Sequence, residues 1–149
     1  MIRKGSAAWY GTGAEGDGTV SVPSGVLADT PYSSKSRFVS NDGEEVSWTN
    51  PEELIAAAHA GCFSMALSYQ LSGAGFTPNQ INTDAVLDMQ KEENGNGWAI
   101  KTIKLKVEAD IPRIDDAKFQ ELAGNAKAGC PVSKALSSVE ISMEAKLKS

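Results

Sequence analysis

The chain has 149 residues, of which 41% are apolar and 22% charged, and its net charge is −5. This composition is typical of one soluble globular domain, residues 1–149, which buries roughly 70% of the surface of its unfolded chain and needs no disulfide to build its core. Because the chain is acidic and has no cluster of Lys and Arg, it lacks the positive surface that nucleic acids require. We therefore expect no nucleic-acid partner.

The N-terminal residues are not followed by the apolar run of a signal peptide. No stretch approaches the ~20 apolar residues of a membrane span. We therefore expect a cytoplasmic protein without a membrane partner, in which thiols stay reduced. In that setting its two cysteines, Cys62 and Cys130, are expected to be catalytic, redox-active or merely buried rather than a structural disulfide.

The first 40 residues predict a small antiparallel meander. Strands are predicted at Ala7–Tyr10 and Thr19–Val22, on either side of a glycine-rich turn over Gly11–Gly18 that matches no nucleotide-binding motif. A third strand is predicted through Ser36–Val39, and Asn41–Gly43 indicates a turn.

A long helix is predicted to start after Asn50, with Asn50 at the N-cap, Pro51 at the first helical position and two glutamates next. The run continues to about Ser72, with apolar residues spaced three and four apart at Ile55, Ala58, Cys62, Met65, Ala66 and Tyr69. Because small residues lie on several sides, we expect a central and largely buried helix.

Two alternating strands are predicted at Ile81–Met89 and Ile103–Ala109, joined by a turn at Asn94–Gly97, with a bulge near Lys101–Thr102. The remaining predicted elements are a helix from Asp115 to Gly129 that buries Phe119, Leu122 and Ala126, a short helix with Cys130 at its N-cap and Pro131 next, and a final strand from Val139 to Leu147. Strands, helix, strands, helices and strand in this order predict an α+β fold.

The two cysteines differ in what their positions predict. Cys62 lies on an apolar helix face, where a buried, inert thiol is as good an interpretation as a reactive one. Cys130 lies at a predicted helix N-terminus, whose unpaired N–H groups stabilise a thiolate. A mostly ionised thiol at pH 7 needs roughly 3.4 kcal/mol of stabilisation, and a helix end supplies up to ~2 kcal/mol. A reactive cysteine is therefore expected to need a cationic partner.

Three further residues are candidates. Arg37 and Glu52 are possible supporting residues, although a strand arginine is usually solvated and a glutamate at this position usually caps the helix. His59, the only histidine, lies one turn before Cys62, so a Cys–His pair or a zinc site of His59, Cys62, Cys130 and a carboxylate is conceivable. No known zinc spacing is present, and a packed, hydrogen-bonded histidine is the favoured interpretation.

Two motifs resemble a known family. Asn50–Leu54 followed by Ala56–Leu67 resembles the central helix of the OsmC/Ohr family, the osmotically inducible protein C and organic hydroperoxide resistance proteins. Ala126–Ser133 resembles the second cysteine motif of that family. Ser24–Leu27 and Pro31–Phe38 look more like the OsmC branch than the Ohr branch.

The resemblance implies an OsmC-like fold, with antiparallel sheets around a long central helix bearing Cys62, in an intertwined homodimer. Family members are thiol-dependent peroxidases that act in stress defence and prefer organic hydroperoxides. The resemblance implies no cofactor and no metal. It implies a hydroperoxide substrate and an external dithiol reductant as partners. In some family members the reductant is a lipoylated protein.

Carried over, the resemblance makes Cys62 the peroxidatic cysteine and Cys130 the resolving cysteine that forms a disulfide with it. Arg37 would stabilise the thiolate and orient the peroxide, and Glu52 would hold Arg37. Ten helical residues rise about 15 Å, so Glu52 is expected to act only through Arg37. Helix-end electrostatics alone would have chosen Cys130 as the better thiolate.

Other functions remain open at this point. The same cysteine pair would serve a redox-responsive binding module that undergoes no multiple turnover. A structural or small-hydrophobe-binding domain would have inert thiols, and a zinc protein would bind metal. Turnover of peroxide with a dithiol, or its absence, separates these alternatives.

Overall fold

A computed structural model describes residues 1–38 and 48–148 of the chain. The chain divides into two compact units, Met1–Leu54 and Ile55–Ser149. That these units form one domain stays a prediction. The turn at Asn41–Gly43 and residue Val39 of the predicted third strand lie outside the described residues.

The first unit contains a three-stranded antiparallel sheet. Its strands are β1 (Ser6–Tyr10), β2 (Asp17–Ser21) and β3 (Thr30–Ser33), paired in the order β1-β2-β3. The first two strands confirm the prediction to within two residues. The predicted three-stranded antiparallel meander is therefore confirmed, although its third strand lies earlier in the chain than expected.

The prediction of a strand through Ser36 was wrong. The segment Ser34–Phe38 forms a short helix, α1. The N–H of Ser36 donates to the hydroxyl of Ser33, and the N–H of Ser33 donates to the hydroxyl of Ser36, both at 2.9 Å. This reciprocal arrangement, with Ser33 before the helix and Ser36 in its first turn, satisfies N–H groups at the helix start and outweighs the strand preference of the neighbouring residues.

The long helix α2 (Pro51–Gly73) confirms the predicted start and length. The side chain of Asn50 caps it by accepting from the N–H of Glu53 at 2.8 Å. Among the described residues, α2 is the helix that is long and apolar enough to cross a membrane by length and composition, a test that core helices of soluble proteins also pass. The sequence-based statement that no stretch approaches such a span was therefore too strong.

The buried face of α2 is not the predicted one. The helix buries His59, Phe63, Leu67 and Leu71, which recur every fourth residue. Met65 and Tyr69 of the predicted stripe are 63% and 75% exposed. Because apolar and small residues occur around the whole helix, spacing alone does not select the face that meets the sheet.

The second unit contains a three-stranded sheet of β4 (Gln80–Lys91), β5 (Trp98–Asp110) and β6 (Glu140–Leu147). The pairing of β4 with β5 is antiparallel, and that of β5 with β6 is parallel, so the sheet is mixed rather than purely antiparallel as expected. The predicted bulge is confirmed. Asp88 pairs with Thr102 and Met89 with Ile100, which leaves Lys101 as the extra residue.

Two helices complete the second unit, α3 (Asp116–Gly129) and α4 (Pro131–Ala135), with Cys130 between them in an extended conformation (φ −62°, ψ 121°). Asp115 caps α3 by accepting from the N–H of Lys118 at 2.8 Å. The core brings together buried apolar side chains of α2, α3 and β5, among them Phe63, Leu67, Leu71, Ile103, Leu105, Phe119 and Leu122. Helices with two sheets make the α+β class that was predicted.

Candidate active site

The two cysteines meet inside the second unit. Their Sγ atoms lie 3.1 Å apart, although 68 residues separate them along the chain, and both are free thiols. Cys62 is half-buried in the middle of α2, and Cys130 is 0% exposed at the start of α4. Two thiols at this distance need to approach by only about 1 Å to reach the ~2.05 Å of a disulfide bond.

The core places both sulfur atoms. Phe63 and Leu67, which follow Cys62 in α2, are fully buried and hold the helix in the core cluster. Phe119 and Ala126 do the same for α3, which ends at the residue before Cys130. The cysteines are thus carried by two helices that pack in one core, so their contact does not depend on a mobile surface loop.

The surroundings of Cys130 favour its thiolate. Burial raises the pKa of Cys130, but hydrogen bonds from the N–H groups of Ser133 and Val132, the Cys62 thiol and the Ser133 hydroxyl outweigh burial, and the net pKa is lowered. Because α4 begins at this residue, its first N–H groups have no partner within the helix and lie close to Cys130. Cys130 therefore lies at the N-cap of α4, as predicted, and its lowered pKa agrees with the expected stabilisation of its thiolate.

The surroundings of Cys62 favour its protonated form. Burial raises the pKa of Cys62, and the N–H of Val132 acts against burial. The hydrogen bond to Cys130 and the charge of the Cys130 thiolate raise it further. Each of these groups belongs to the same unit and none is a cation, so Cys62 depends on something else to become a nucleophile.

His59 forms a buried hydrogen bond with Ser133, which lies three residues after Cys130. Its Nε2 lies 2.7 Å from the hydroxyl oxygen of Ser133, and burial lowers the pKa of His59. The favoured interpretation of a packed, hydrogen-bonded histidine agrees with this contact. Within residues 1–38 and 48–148, no group of three His, Cys, Asp or Glu side chains is placed to hold a metal ion.

Arg37 and Glu52 form an ion pair inside the first unit. The Nε and one terminal nitrogen of Arg37 lie 2.9 and 2.7 Å from Oε1 of Glu52. The guanidinium also lies 5.3 Å from the ring centroid of Phe38. The other carboxylate oxygen, Oε2, is buried and has no hydrogen-bond partner among the described residues. The pairing expected from the resemblance is present, with Arg37 on a helix instead of a strand.

Ser133 is a site residue that the sequence analysis missed. It lies three residues after Cys130, and its N–H and its hydroxyl both lower the pKa of the Cys130 thiol. The available signal was its spacing from Cys130. An N-cap side chain usually accepts a hydrogen bond from the amide two or three residues later, and Ser133 is three residues later.

An α+β fold with two free thiols in contact, one of them stabilised as a thiolate, defines a dithiol redox site. Residues 43–144 match a family model described as OsmC-like protein. The chain is 49% identical over 147 residues to peroxiredoxin OsmC of Escherichia coli K12, an alignment that covers 99% of this chain and 97% of that protein. The chain therefore belongs to the OsmC-like family.

Solved structures agree with this assignment. The organic hydroperoxide resistance protein OhrB of Bacillus subtilis is 27% identical and has a TM-score of 0.68, with 96% of this chain and 98% of that chain covered. An OsmC-like protein of Mycoplasma pneumoniae, only 12% identical, has a TM-score of 0.76 over 100% of this chain and 99% of its own, which shows the fold alone. The predicted family and OsmC-like fold are confirmed, and the intertwined homodimer stays a prediction.

Proposed function

We propose that this protein is a thiol-dependent peroxidase that reduces organic hydroperoxides to alcohols, with Cys62 attacking the peroxide and Cys130 resolving the product. The observation that carries the proposal is the 3.1 Å contact between the two free thiols, because the sulfur atoms need to approach by only about 1 Å to form a disulfide. The relatives named as a peroxiredoxin and as an organic hydroperoxide resistance protein support the same activity.

The cycle balances over three steps. The Cys62 thiolate attacks the O–O bond, which releases the alkoxide, protonated to the alcohol, and leaves Cys62 as a sulfenic acid. The Cys130 thiolate then forms the S–S bond as hydroxide leaves Cys62 and is protonated to water. An external dithiol reduces the disulfide by exchange and becomes a disulfide itself. The sum is hydroperoxide plus dithiol giving alcohol, water and the oxidised dithiol.

Access and acidity divide the roles between the cysteines. Cys130 has the lower pKa but is fully buried, whereas Cys62 is half-buried and within reach of a substrate. The Cys130 thiolate, 3.1 Å away, can accept the proton of Cys62 only when a cation lowers the pKa of Cys62 below that of Cys130. A buried thiolate next to the oxidised sulfur is then well suited to resolve it.

Arg37 is the cation that we assign to the Cys62 thiolate, and Glu52 is the residue that holds Arg37. The ion pair of these two residues, with two guanidinium nitrogens on one carboxylate oxygen, supports the second role. The first role rests on the family resemblance: no cation is among the groups that set the raised pKa of Cys62, and a thiol of this kind requires one to be ionised at pH 7. Neither role involves a bound cofactor, and the reductant is a dithiol that comes from outside, in our proposal a lipoylated protein of the cytoplasm.

The packing of Cys62 supports an organic substrate. Cys62 contacts the apolar core cluster, together with Ala66 and Val132. An apolar wall beside the attacking sulfur gains binding energy from an alkyl or aryl group and none from hydrogen peroxide. We therefore expect the catalytic efficiency for cumene hydroperoxide to exceed that for hydrogen peroxide.

A homodimer is part of the proposal. Met65 and Tyr69 lie largely exposed on α2, and large exposed apolar side chains of this kind mark interaction surfaces. A second copy of the chain is the occupant that the family resemblance implies. Met65→Glu and Tyr69→Glu should each shift the protein towards monomer in sedimentation velocity, because a charge cannot be buried in an apolar interface without a partner, whereas the exposed-site change Ser142→Glu should not.

The decisive measurement is turnover with dihydrolipoamide as reductant, followed by alcohol formation from cumene hydroperoxide and compared with consumption of hydrogen peroxide. Many equivalents of alcohol per protein, with an organic preference, support the proposal. Loss of two hydrogens by mass spectrometry after one equivalent of hydroperoxide, without further turnover with any dithiol, would instead make the protein a redox-responsive binding module. No oxidation of either thiol would contradict both functions.

A further inference from the structure

A buried polar pair that the peroxidase cycle does not use lies next to Cys130. His59 Nε2 is 2.7 Å from Ser133 Oγ, and these residues are 0% and 7% exposed. The Ser133 hydroxyl also lowers the pKa of Cys130, which is fully buried three residues earlier, at the N-cap of α4. The three buried side chains therefore form one polar cluster that joins the middle of α2 to the first turn of α4.

The second ring nitrogen of His59 indicates which tautomer is present. Nδ1 is buried and has no hydrogen-bond partner among the described residues. A buried N–H without an acceptor is rarer in proteins than a buried acceptor without a donor, because the unpaired donor loses a strong interaction with water. The favoured neutral ring therefore carries its proton on Nε2 and leaves only a lone pair at Nδ1. Desolvation keeps this ring neutral.

The tautomer of His59 decides where the Ser133 proton points. A hydroxyl has one proton to donate and can accept through its oxygen. When Nε2–H donates to Ser133 Oγ, the hydroxyl proton remains available for the sulfur of Cys130. In the other tautomer the same proton would be donated to Nε2 and would be lost to Cys130. A hydrogen-bond chain that runs in one direction also polarises each donor in turn.

We propose that Ser133 is a further catalytic residue, whose hydroxyl donates to the Cys130 thiolate in the resolving step, and that His59 is the positioning residue that orients this hydroxyl. The inference rests on the proposed function for the identity of that step. As the S–S bond forms, Cys130 is oxidised, the S–O bond of Cys62 breaks and its sulfur is reduced. The leaving hydroxide takes up the proton that Cys130 had released, so the pair is unchanged at the end.

The first test is the titration of Cys130 in the Cys62→Ser protein, which has a single thiol and needs no peroxide. The ultraviolet absorbance of the thiolate gives its pKa. Ser133→Ala in this background should raise the pKa of Cys130 by about one unit, because a hydrogen bond to a charged acceptor is lost. Ser133→Thr keeps the hydroxyl and should largely restore the value. Ser137→Ala, at an exposed serine one turn later, is the matched control and should change nothing.

The second test separates positioning from packing at His59. His59→Leu removes the donor and should raise the pKa of Cys130 by part of the Ser133→Ala shift, while His59→Gln retains an N–H and should reverse that part. Combining His59→Leu with Ser133→Ala should add nothing to the Ser133→Ala shift, because the histidine acts through the serine. Thermal unfolding of each variant checks that it is folded, and should Ser133→Ala fail to fold, the His59→Leu and His59→Gln comparison decides alone.

The third test reads the tautomer directly. His59 is the only histidine of the chain, so a protein labelled with nitrogen-15 histidine gives one pair of ring signals. A neutral ring protonated at Nε2 is the expected result. A ring protonated at Nδ1 overturns the proposal, because Ser133 would then donate to the histidine.

The catalytic consequence is confined to one step. At a pH below the pKa of Cys130, a pKa raised by one unit lowers the thiolate fraction about tenfold, and the gain in nucleophilicity returns about threefold. Under that condition Ser133→Ala should slow disulfide formation about threefold at constant sulfenic acid formation. An unmoved pKa of Cys130 in both Ser133→Ala and His59→Leu overturns the inference even in an active peroxidase. Shifted pKa values in a protein without peroxide turnover would retain the inference for the thiol and reject the proposed function.

Discussion

The two cysteines occupy opposite kinds of helix position, and each position gives what the other lacks. Cys62 lies in mid-helix, where every local N–H already serves the helix, and its sulfur takes a single amide from Val132 of another element. Cys130 lies at a helix start, where the N–H groups of Val132 and Ser133 lower its pKa. The mid-helix thiol is accessible and weakly acidic, and the helix-start thiol is acidic and inaccessible.

This difference explains why acidity alone misassigns the attacking residue. A nucleophilic cysteine needs an ionised sulfur that the substrate can reach, and neither cysteine has both properties from the second unit alone. No other group can replace the access of Cys62, whereas a cation can stabilise its ionised form against the burial and the Cys130 charge that raise its pKa. The variants below test whether the two environments divide the chemistry in this way.

The largest effect is expected from exchanging each cysteine for serine. Cys62→Ser should lose peroxide turnover by several orders of magnitude, because the residue that breaks the O–O bond is gone. Cys130→Ser should also lose turnover with a dithiol that acts only on the disulfide, yet it should still release one equivalent of alcohol per protein. Stopped-flow measurement of alcohol release distinguishes the two results.

The matched control for this pair is Ser137→Ala, which leaves both thiols in place and should retain turnover. Full turnover in Cys62→Ser would reverse the assignment of roles. A burst of alcohol from Cys62→Ser, with none from Cys130→Ser, would give the attack to the more acidic thiol.

A smaller loss is expected when the proposed cation is removed. Arg37→Ala should slow the reaction of Cys62 with cumene hydroperoxide about ten- to thousandfold, because an opposite charge close to a titrating group shifts its pKa by about 1–3 units. Arg37→Lys should recover only part of this rate, since lysine cannot place two nitrogens on Glu52. Second-order rate constants from stopped-flow kinetics provide the comparison.

Glu52→Gln is the companion variant, since it keeps the shape of the side chain and removes its charge. It should reduce the rate less than Arg37→Ala. Wild-type rates in Arg37→Ala would show that Cys62 obtains its ionisation from the second unit alone.

The pH dependence of alkylation should reveal the difference in pKa between Cys62 and Cys130 without the use of peroxide. The pKa of Cys130 is lowered, so its thiolate persists to lower pH than that of an ordinary cysteine, and the pKa of Cys62 is raised, so its thiolate appears only at higher pH. Alkylation of Cys130 by iodoacetamide should therefore reach its plateau at the lower pH, with a slower maximum rate because the residue is buried. Peptide mass spectrometry after timed quenching resolves the two sites.

The alkylation profiles of the two cysteines should converge when the protein is unfolded in urea, since both thiols then approach the ordinary pKa of about 8.5. Coincident profiles in the folded protein would contradict the proposed difference between the environments.

The smallest effect concerns stability alone. Asp115→Ala should lower the free energy of unfolding by about 1 kcal/mol, because it removes the N-cap of α3. Urea denaturation measures this loss. Asp115→Asn keeps a capping oxygen and serves as its control. Both variants should leave the titration of Cys130 unchanged, because α3 carries that residue at its far end, and a shifted titration would mean that the thiol responds to helix stability instead of to its local donors.

Much of the fold was predictable because its signals are local. Asn50 and Asp115 are capping residues whose side chains bond to amides three residues on, and both helix starts followed from them. The bulge at Lys101 followed from a change of parity within one strand. In each case the deciding interaction lies within a few residues of the signal.

The structural predictions that failed depended on contacts between residues distant in sequence, or on competition between two local signals. The buried face of α2 is chosen by the sheet and by α3, and the parallel pairing of β6 with β5 is a tertiary choice that alternation does not encode. The helix α1 was missed because the Ser33 and Ser36 pair resembles ordinary polar strand residues. The His59–Ser133 bond joins residues 74 positions apart, so neither residue indicated the other.

The short interruption between α3 and α4 has a consequence for how the reactivity of Cys130 is encoded. A residue before proline is disfavoured in the helical region, and Cys130 is accordingly extended in front of Pro131. Without that proline, α3 could run on through Cys130, and the amides of Val132 and Ser133 would turn back to carbonyls of the preceding turn. An acidic thiol would then become an ordinary one with every side chain around it unchanged. The redox character of this residue is therefore set by a backbone dihedral preference of its neighbour.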